Sequence, residues 1–328
     1  MKKIFLSIFL FCSTALFASS PILIVGGGPS GLAAAIEAKQ AGAEVVIVEK
    51  RRGYTREQVL FLTGDSVQRL RRWGVELPSM CTKELQGRSI GLVAINHLEE
   101  GLARRASELG IERVEGAFLG FGSAQTAVIA GKNGEELIPY DILVAADGAH
   151  SSVRKALGIP LLELGKGKGA SAVIPLPPKP RGFDISPPLI HGELFLRRIK
   201  TPEASIVFTQ SPSDGSCASL LQAIAEEGWE EEMSQIAEGK AFCISDVEIS
   251  LQQVSAFFDE GRNAIVIGDA AATASFFKGM GANTALKTAE IAGQFFKERG
   301  VQEFDEAMRA ATNTLIEESR FLFPSIKK

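Results

Sequence analysis

Gly26, Gly28 and Gly31 stand in G-x-G-x-x-G spacing, with Ser30 inside the turn and Glu49 following 18 residues beyond Gly31. The spacing suits phosphate chemistry. The first glycine permits a tight turn, the second lets the backbone approach a diphosphate, and the third lets a helix pack closely on a strand. A carboxylate at the position of Glu49 accepts hydrogen bonds from an adenosine ribose with a free 2′-hydroxyl, as in FAD or NAD, and repels an NADP 2′-phosphate. Metal and dithiol chemistry have no comparable pattern. Cys12, Cys81, Cys217 and Cys243 are widely spaced, form no C-x-x-C pair and read as buried free thiols. Of the histidines, His97 reads as a helix-surface residue and His150 as structural. His191 opens a strand, its side chain toward pocket or solvent.

The elements around the glycines can position them. An apolar run from Ile22 to Val25 enters the turn, an alanine-rich helical segment leaves it, and a β-branched run, Val45 to Val48, ends in Glu49. The helix N-terminus offers free N–H groups and the positive end of its dipole to phosphate. Lys50 opens a basic loop whose Arg56 could fold back over that phosphate. Gln58 to Leu62 leads to a short helix capped by Asp65 or Ser66 and stopped by Gly74, with Val67, Leu70 and Trp73 as its apolar stripe and Arg69, Arg71 and Arg72 on a solvated face. A strand from Ser89 to Ile95 follows. The next helix, about Asn96 to Leu109, has Asn96 and Glu99 as a capping box and Gly110 as its end. Asn133-Gly134 predicts a hairpin.

The buried run Asp141 to Ala146 ends in Asp147-Gly148, and a helix over 151–157 follows. From 161 to 261 prolines break the chain. Alternating runs, His191 to Ile199 and Ser205 to Gln210, predict a hairpin across Lys200-Thr201-Pro202, followed by helices from about Ala218 to Ala237 and a strand near Phe242 to Leu251. This is a mixed sheet with helices, inserted between two parts of a nucleotide-binding unit. The buried strand Arg262 to Ile267 then runs into Asp269, and two helices complete the chain, about Ala282 to Glu298 and Gln302 to Arg320. The expected division is 21–160 with 262–328 for the nucleotide, and 161–261 for a substrate.

With 328 residues, 45% hydrophobic and 23% charged, the chain reads as an ordinary folded protein. A net charge of −4 argues against nucleic acid as a partner. Residues 1–20, MKKIFLSIFLFCSTALFASS, have the layout of a signal peptide or N-terminal membrane anchor. An exported or membrane-anchored protein is favoured, with membrane contact through residues 1–20 and a cytoplasmic location as the alternative. A monomer or homodimer is expected.

Three stretches together resemble the FAD-dependent aromatic hydroxylases, the flavoprotein monooxygenases of the para-hydroxybenzoate hydroxylase type. They are GGGPSG with Glu49; DILVAADGAHSSVRKALGI, with Asp147, Gly148, Ser152 and Arg154 at matching positions; and VIGDAAATASFFKGMGANTALKTAE, with Asp269 and then a G-x-G-x-N element. The resemblance implies an α/β fold: a Rossmann-like FAD-binding domain, built on a central parallel sheet with a β-meander, carrying an inserted mixed β-sheet substrate domain and C-terminal helices. It implies that Asp269 binds the ribityl chain. Gly281, Ala282 and Asn283 would present backbone N–H groups to the flavin's pyrimidine edge. Asp147 and Gly148 would lie near the diphosphate, and Arg56 and Lys50 would serve the nucleotide end beside Glu49.

It implies, further, FAD as cofactor and NADPH or NADH as transient electron donor. The reaction would hydroxylate an aromatic or hydrophobic small molecule with O₂, through a flavin C4a-hydroperoxide. A reductase of the geranylgeranyl reductase type and a non-catalytic flavin-binding or effector protein are the alternatives. The chain departs from the pattern in two places. Ala272 to Lys278 lacks the family's proline, which places Phe276 and Phe277 against the flavin face or in the substrate pocket; and Thr288-Ala289 replaces Asp-Ala. With Phe257 and Phe258 these aromatics suggest an apolar substrate. No catalytic acid or base is assigned.

Overall fold

The computed structural model describes residues 20–85, 87–179, 182–276 and 279–323. The leader-like segment up to residue 19 and Phe277 lie outside them. Among the described residues no helix is long and apolar enough to cross a membrane.

The chain begins with β1 (Ile22–Val25), α1 (Pro29–Gln40) and β2 (Val45–Glu49), followed by β3 (Val59–Leu62), α2 (Gly64–Arg72), β4 (Cys81–Leu85), β5 (Arg88–Ala94) and α3 (Ile95–Glu108). Next come β6 (Glu112–Glu115), the meander β7 (Ala117–Phe121), β8 (Thr126–Gly131) and β9 (Gly134–Pro139), then β10 (Leu143–Ala145) and α4 (Ser152–Ala156). The central part contains β11 (Leu161–Pro175), β12 (Asp184–Ile185), β13 (Leu189–His191), β14 (Leu194–Lys200), β15 (Ala204–Ser211), α5 (Cys217–Glu226), α6 (Glu230–Ala237) and β16 (Phe242–Val254). The chain returns through β17 (Phe258–Asp259), β18 (Ala264–Val266), a 3₁₀ turn at Gly268–Ala270, β19 (Ala272–Thr273), α7 (Met280–Glu298) and α8 (Val301–Arg320).

Two sheets carry the architecture. The first runs in the order β17-β18-β10-β1-β2-β6 and is parallel except for β17. β1, β10 and β18 are buried along their whole length, which is why they read as unbroken apolar runs rather than alternating ones. From β1 the chain moves to β2 and β6 on one side, and later fills β10 and β18 on the other. The crevice at the carboxyl ends of β1 and β10 is where open α/β sheets bind ligands. α1 is buried on nearly every side because α7 and α3 both pack against it, and its Ala33, Ala34, Ala35 and Ala38 keep those helices close.

The second sheet, β12-β14-β15-β11-β16-β19 with β13 on β14, is antiparallel at every pairing among the described residues. Strand alternation gives it two faces. Ala170, Ala172, Ile174, Leu196 and Val207 point to the back, where they pack on Leu220, Ala223 and Ile224 of α5. Val173, Ile199, Ile206, Phe208, Phe242 and Ile244 point to the front and line a cavity. Between Gly169/Val247 and Ser171/Ile244 the register shifts, with Asp246 at φ +54°. This bulge turns both Ile244 and Val247 into the cavity, which strict alternation would forbid.

The α/β fold with its parallel sheet and meander matches the expectation, and the second sheet, expected as mixed, is antiparallel. Two local readings also differ. The α2 cap is Thr63, whose side chain accepts the Ser66 N–H, rather than Asp65 or Ser66. α3 starts at Ile95, one residue before Asn96, with no side-chain cap. Glu99 turns away from the helix end because two arginines compete for it, as described below. The Asn133-Gly134 hairpin forms as predicted, Gly134 taking φ +121° between β8 and β9.

Candidate active site

One cavity of about 830 Å³ runs from the glycine turn to the front face of the antiparallel sheet. Gly26, Gly28, Ser30, Glu49, Lys50, Arg56, Asp147, Gly148, Asp269, Gly281 and Ala282 all line it; Gly31 and Asn283 stand just behind the wall.

The glycine turn is dictated by crowding. Gly26 has φ +113°, and a Cβ there would fall 2.3 Å from the Ala146 carbonyl oxygen; a Cβ on Gly31 would fall 1.9 Å from the Gly26 oxygen. Gly28 is different. The nearest protein atoms to a Cβ there are Glu99 Oε1 at 3.8 Å and Arg51 Nη2 at 3.9 Å, so its open side faces the cavity. The backbone at Gly28 is therefore free to meet a ligand closely.

Glu49 is buried at the end of β2. Its Oε2 accepts the Gly27 N–H at 2.6 Å, and its Oε1 accepts the Arg51 N–H at 2.8 Å and Arg51 Nε at 3.2 Å. Burial pushes its carboxyl up, but these donors outweigh it and hold the pKa below the ordinary value. The carboxylate thus braces the turn as well as facing the cavity. Asp147 Oδ2 accepts the N–H groups of Ser152 at 2.6 Å and Val153 at 3.2 Å, whereas its Oδ1 is buried with no partner among the described residues. Arg154 is buried beside it and donates to the Ala149 and Ala270 carbonyls, tying the two aspartate-glycine turns together. Asp269 is exposed where it opens onto the cavity, yet the protein packed around it raises its carboxyl pKa while the positive field of Arg56 opposes the rise.

Asn283 acts through its side chain. Its Oδ1 accepts the Thr63 N–H at 2.9 Å, and its Nδ2 donates to the carbonyls of Phe61 at 2.8 Å and Gly279 at 2.9 Å. It clips β3 to the start of α7, where Gly279 takes a left-handed conformation and Gly281 and Ala282 reach the cavity. Thr288, one of the departures noted above, has a local reason: its hydroxyl accepts the Gly268 N–H at 3.0 Å and fixes the Asp269 turn.

Several expectations are corrected. Cys217 and Cys243 form a disulfide that joins the start of α5 to β16, and only Cys81 is free among the described cysteines. Phe257 is fully buried in the core and Phe258 packs on Phe295; neither lines the cavity, which takes Phe61, Phe118, Phe208, Phe242 and Phe276 instead. Phe276 stands edge-on to Phe208. His97 is exposed on α3, as expected; His150 is exposed too, and His191 lies between Glu226 and Glu227, away from the cavity. Arg69 and Arg72 pair with Glu290 rather than standing free on a solvated face. Spacing did not reveal Glu99, Arg51 or Arg197. Among the described residues Arg197 is the charged side chain that the antiparallel sheet contributes to the cavity lining, and burial pushes its pKa down.

A family model described as "FAD binding domain" matches residues 78–296, well over half of the chain, and one described as "FAD dependent oxidoreductase" matches residues 21–54. The chain belongs to this FAD-binding family of oxidoreductases. It is similar to the [F-actin]-monooxygenase Mical of Drosophila melanogaster, at 33% identity over 139 residues, which cover 39% of this chain and 3% of that much longer protein. Among solved structures, p-nitrophenol 4-monooxygenase PnpA from Pseudomonas putida superposes with a TM-score of 0.70 at 16% identity, covering 94% of this chain and 90% of that one. Aklavinone-11 hydroxylase, solved with FAD and aklavinone, also gives a TM-score of 0.70, at 19% identity over 94% of this chain and 69% of that one. At these identities the likeness is one of fold. The cavity fits the cofactor of the family: Gly28 leaves room for a diphosphate, a Cβ on Gly281 would meet nothing within 4 Å among the described residues, and Asp147 Oδ1 is a buried acceptor.

Proposed function

We propose that this flavoprotein is an NAD(P)H-dependent monooxygenase that uses O₂ to hydroxylate an aromatic or hydrophobic small molecule. The observation that carries the reading is the continuity of the cavity, from the glycine turn to an apolar sheet face bearing Val173, Ile199, Ile206, Phe208, Phe242 and Ile244. A cofactor held at one end thereby shares a water-poor space with a substrate at the other.

In this reading FAD, when bound, supplies the redox and oxygen chemistry. The residues supply its setting. Gly26, Gly28 and Gly31 let the backbone approach the diphosphate, and Glu49, Lys50 and Arg56 surround the nucleotide end. Asp269 accepts from the hydroxyl-bearing ribityl chain, and Asp147 lies near the diphosphate. The first N–H groups of α7, at Gly281 and Ala282, stabilise negative charge at the ring. The apolar front face orients a flat substrate and excludes water, which limits wasteful side reactions. Arg197 on that face favours substrates with an acidic or phenolic group. A nicotinamide has no second glycine fingerprint to dock on, so it binds transiently in the open groove.

The purified chain tests this directly. Its visible spectrum should show bound flavin that NADPH or NADH bleaches anaerobically and air restores, and aromatic acids should then raise oxygen uptake. Colourless protein that cannot be reconstituted with FAD would sink the reading. Bleaching with no oxygen-coupled product from any aromatic, but with hydride transfer to an alkene, would favour a reductase. A flavin that neither nucleotide reduces would favour a binding protein.

A further inference from the structure

Glu99 is fully buried on the second turn of α3, yet it reaches the nucleotide end of the cavity. Its Oε1 accepts Arg56 Nη2 at 2.5 Å and Arg51 Nη2 at 3.3 Å, and lies 3.8 Å from where a Cβ on Gly28 would stand. Its Oε2 has no hydrogen-bond partner among the described residues. The two arginines are held differently. Arg51 is also fixed by Glu49, whereas Glu99 is the ion-pair partner shown for Arg56 among the described residues. The backbone of Arg56 is tied to the same helix start, since its carbonyl accepts the Asn96 N–H at 3.1 Å and the nearby Gln58 carbonyl accepts the Ile95 N–H at 2.9 Å. Arg56 lines the cavity, and its charge is felt at Asp269 on the far wall.

We propose that Glu99 is a positioning residue of the cofactor site, a buried carboxylate that fixes Arg56 over the glycine turn so that its remaining N–H donors face the cofactor's diphosphate. The inference rests on the FAD site proposed above. The physical reason is preorganisation. A long arginine side chain on a loop loses rotamer freedom when it grips a phosphate, and that loss weakens binding unless folding has already exacted it. Glu99 exacts it during folding. An acid so near a diphosphate would by itself repel it, but Arg56 pairs with Glu99 and Arg51 bridges Glu99 and Glu49, so its charge is compensated. The guanidinium fork also has donors to spare after one pairing. An acid one turn into a helix carries no sequence signature of such a role.

The test is a double-mutant cycle on the apoprotein, titrated with FAD and read by flavin fluorescence, using wild type, Glu99→Gln, Arg56→Ala and the pair. Glu99→Gln should weaken FAD roughly tenfold to 100-fold, the range for losing a charged hydrogen bond's support. The same substitution should cost little in the Arg56→Ala background, because the residue it positions is gone. Glu99→Asp, which keeps the charge but withdraws it by a methylene, should fall between and serves if the glutamine variant does not fold. Wild-type affinity in Glu99→Gln, or a loss that persists in full without Arg56, would overturn the inference while leaving the FAD site standing. A wild-type chain that binds no FAD would overturn the site and the inference together.

Discussion

Gly28→Ala and Gly31→Ala form a matched pair that separates binding from folding. Gly28 has φ −83° and ψ −175°, a conformation open to alanine, and the added methyl would meet no protein atom closer than 3.8 Å. Alanine is a poorer helix N-cap than glycine by several tenths of a kcal/mol. Removing a glycine from the unfolded chain returns about 0.4–1 kcal/mol. The apoprotein should therefore unfold within about 1 kcal/mol of wild type. The methyl does, however, occupy the open side through which the backbone would approach a diphosphate. Losing one or two charge-assisted backbone hydrogen bonds costs about 3 kcal/mol, or roughly 100-fold in FAD affinity.

Gly31→Ala places a methyl carbon 1.9 Å from the Gly26 oxygen and 3.3 Å from Ala146 Cβ. The turn, helix and strand cannot all keep their places, so apoprotein stability should fall by about 3 kcal/mol or more. Urea denaturation of the apoproteins and FAD titration by fluorescence read the two effects separately. If Gly28→Ala binds FAD like wild type, the diphosphate does not approach this backbone and the site is misplaced. If it unfolds like Gly31→Ala, the crowding argument is wrong.

Further outcomes follow from the same geometry. Asp269→Asn should weaken FAD binding yet slightly raise apoprotein stability near neutral pH, because the protein around the carboxylate disfavours its charge, an effect that solvent in the open cavity keeps small. For an acid raised in the folded state the gain shrinks as pH falls toward 3.8, where the carboxyl protonates in both states; denaturation at two pH values checks it, and a destabilised apoprotein at pH 7 speaks against the account. Burial lifts Glu290, but Lys287, Arg69 and Arg72 donate to it and bring its pKa down to about 2 from 4.5. It should contribute on the order of 3 kcal/mol above pH 4.5 that is lost as pH falls toward 2. Glu290→Gln should flatten that acid limb, and an unchanged limb would show the ion pairs to be idle. The Cys217–Cys243 bond closes a loop of sequence separation 26, and replacing both cysteines by serine should cost roughly 3–4 kcal/mol. A midpoint of denaturation indifferent to dithiothreitol would mean that the bond does not form in solution.

Much of this protein was legible without coordinates because it depends on neighbouring residues. An apolar run before three spaced glycines, an alanine-rich segment after them and an acid at the next strand's end specify a phosphate-binding turn through backbone sterics alone. The Asn133-Gly134 hairpin and the glycines ending α2 and α3 follow from the same local rule, since few other residues adopt positive φ at low cost. The alternation of β14 and β15 likewise announced a sheet with one face to bury.

What only the tertiary structure decided is which distant side chains meet. Glu99 read locally as a capping residue, but Arg51 and Arg56 lie 48 and 43 residues away in sequence and compete for it more strongly than a solvent-exposed helix end can. Cys217 and Cys243 looked unrelated until α5 packed on the back of β16's sheet. Asn283 and Thr288 turned inward to hold β3 and the Asp269 turn. The bulge at Asp246 redirected Ile244 and Val247 into one cavity. In each case the deciding interaction spans elements, and its strength comes from burial that no local window of residues contains.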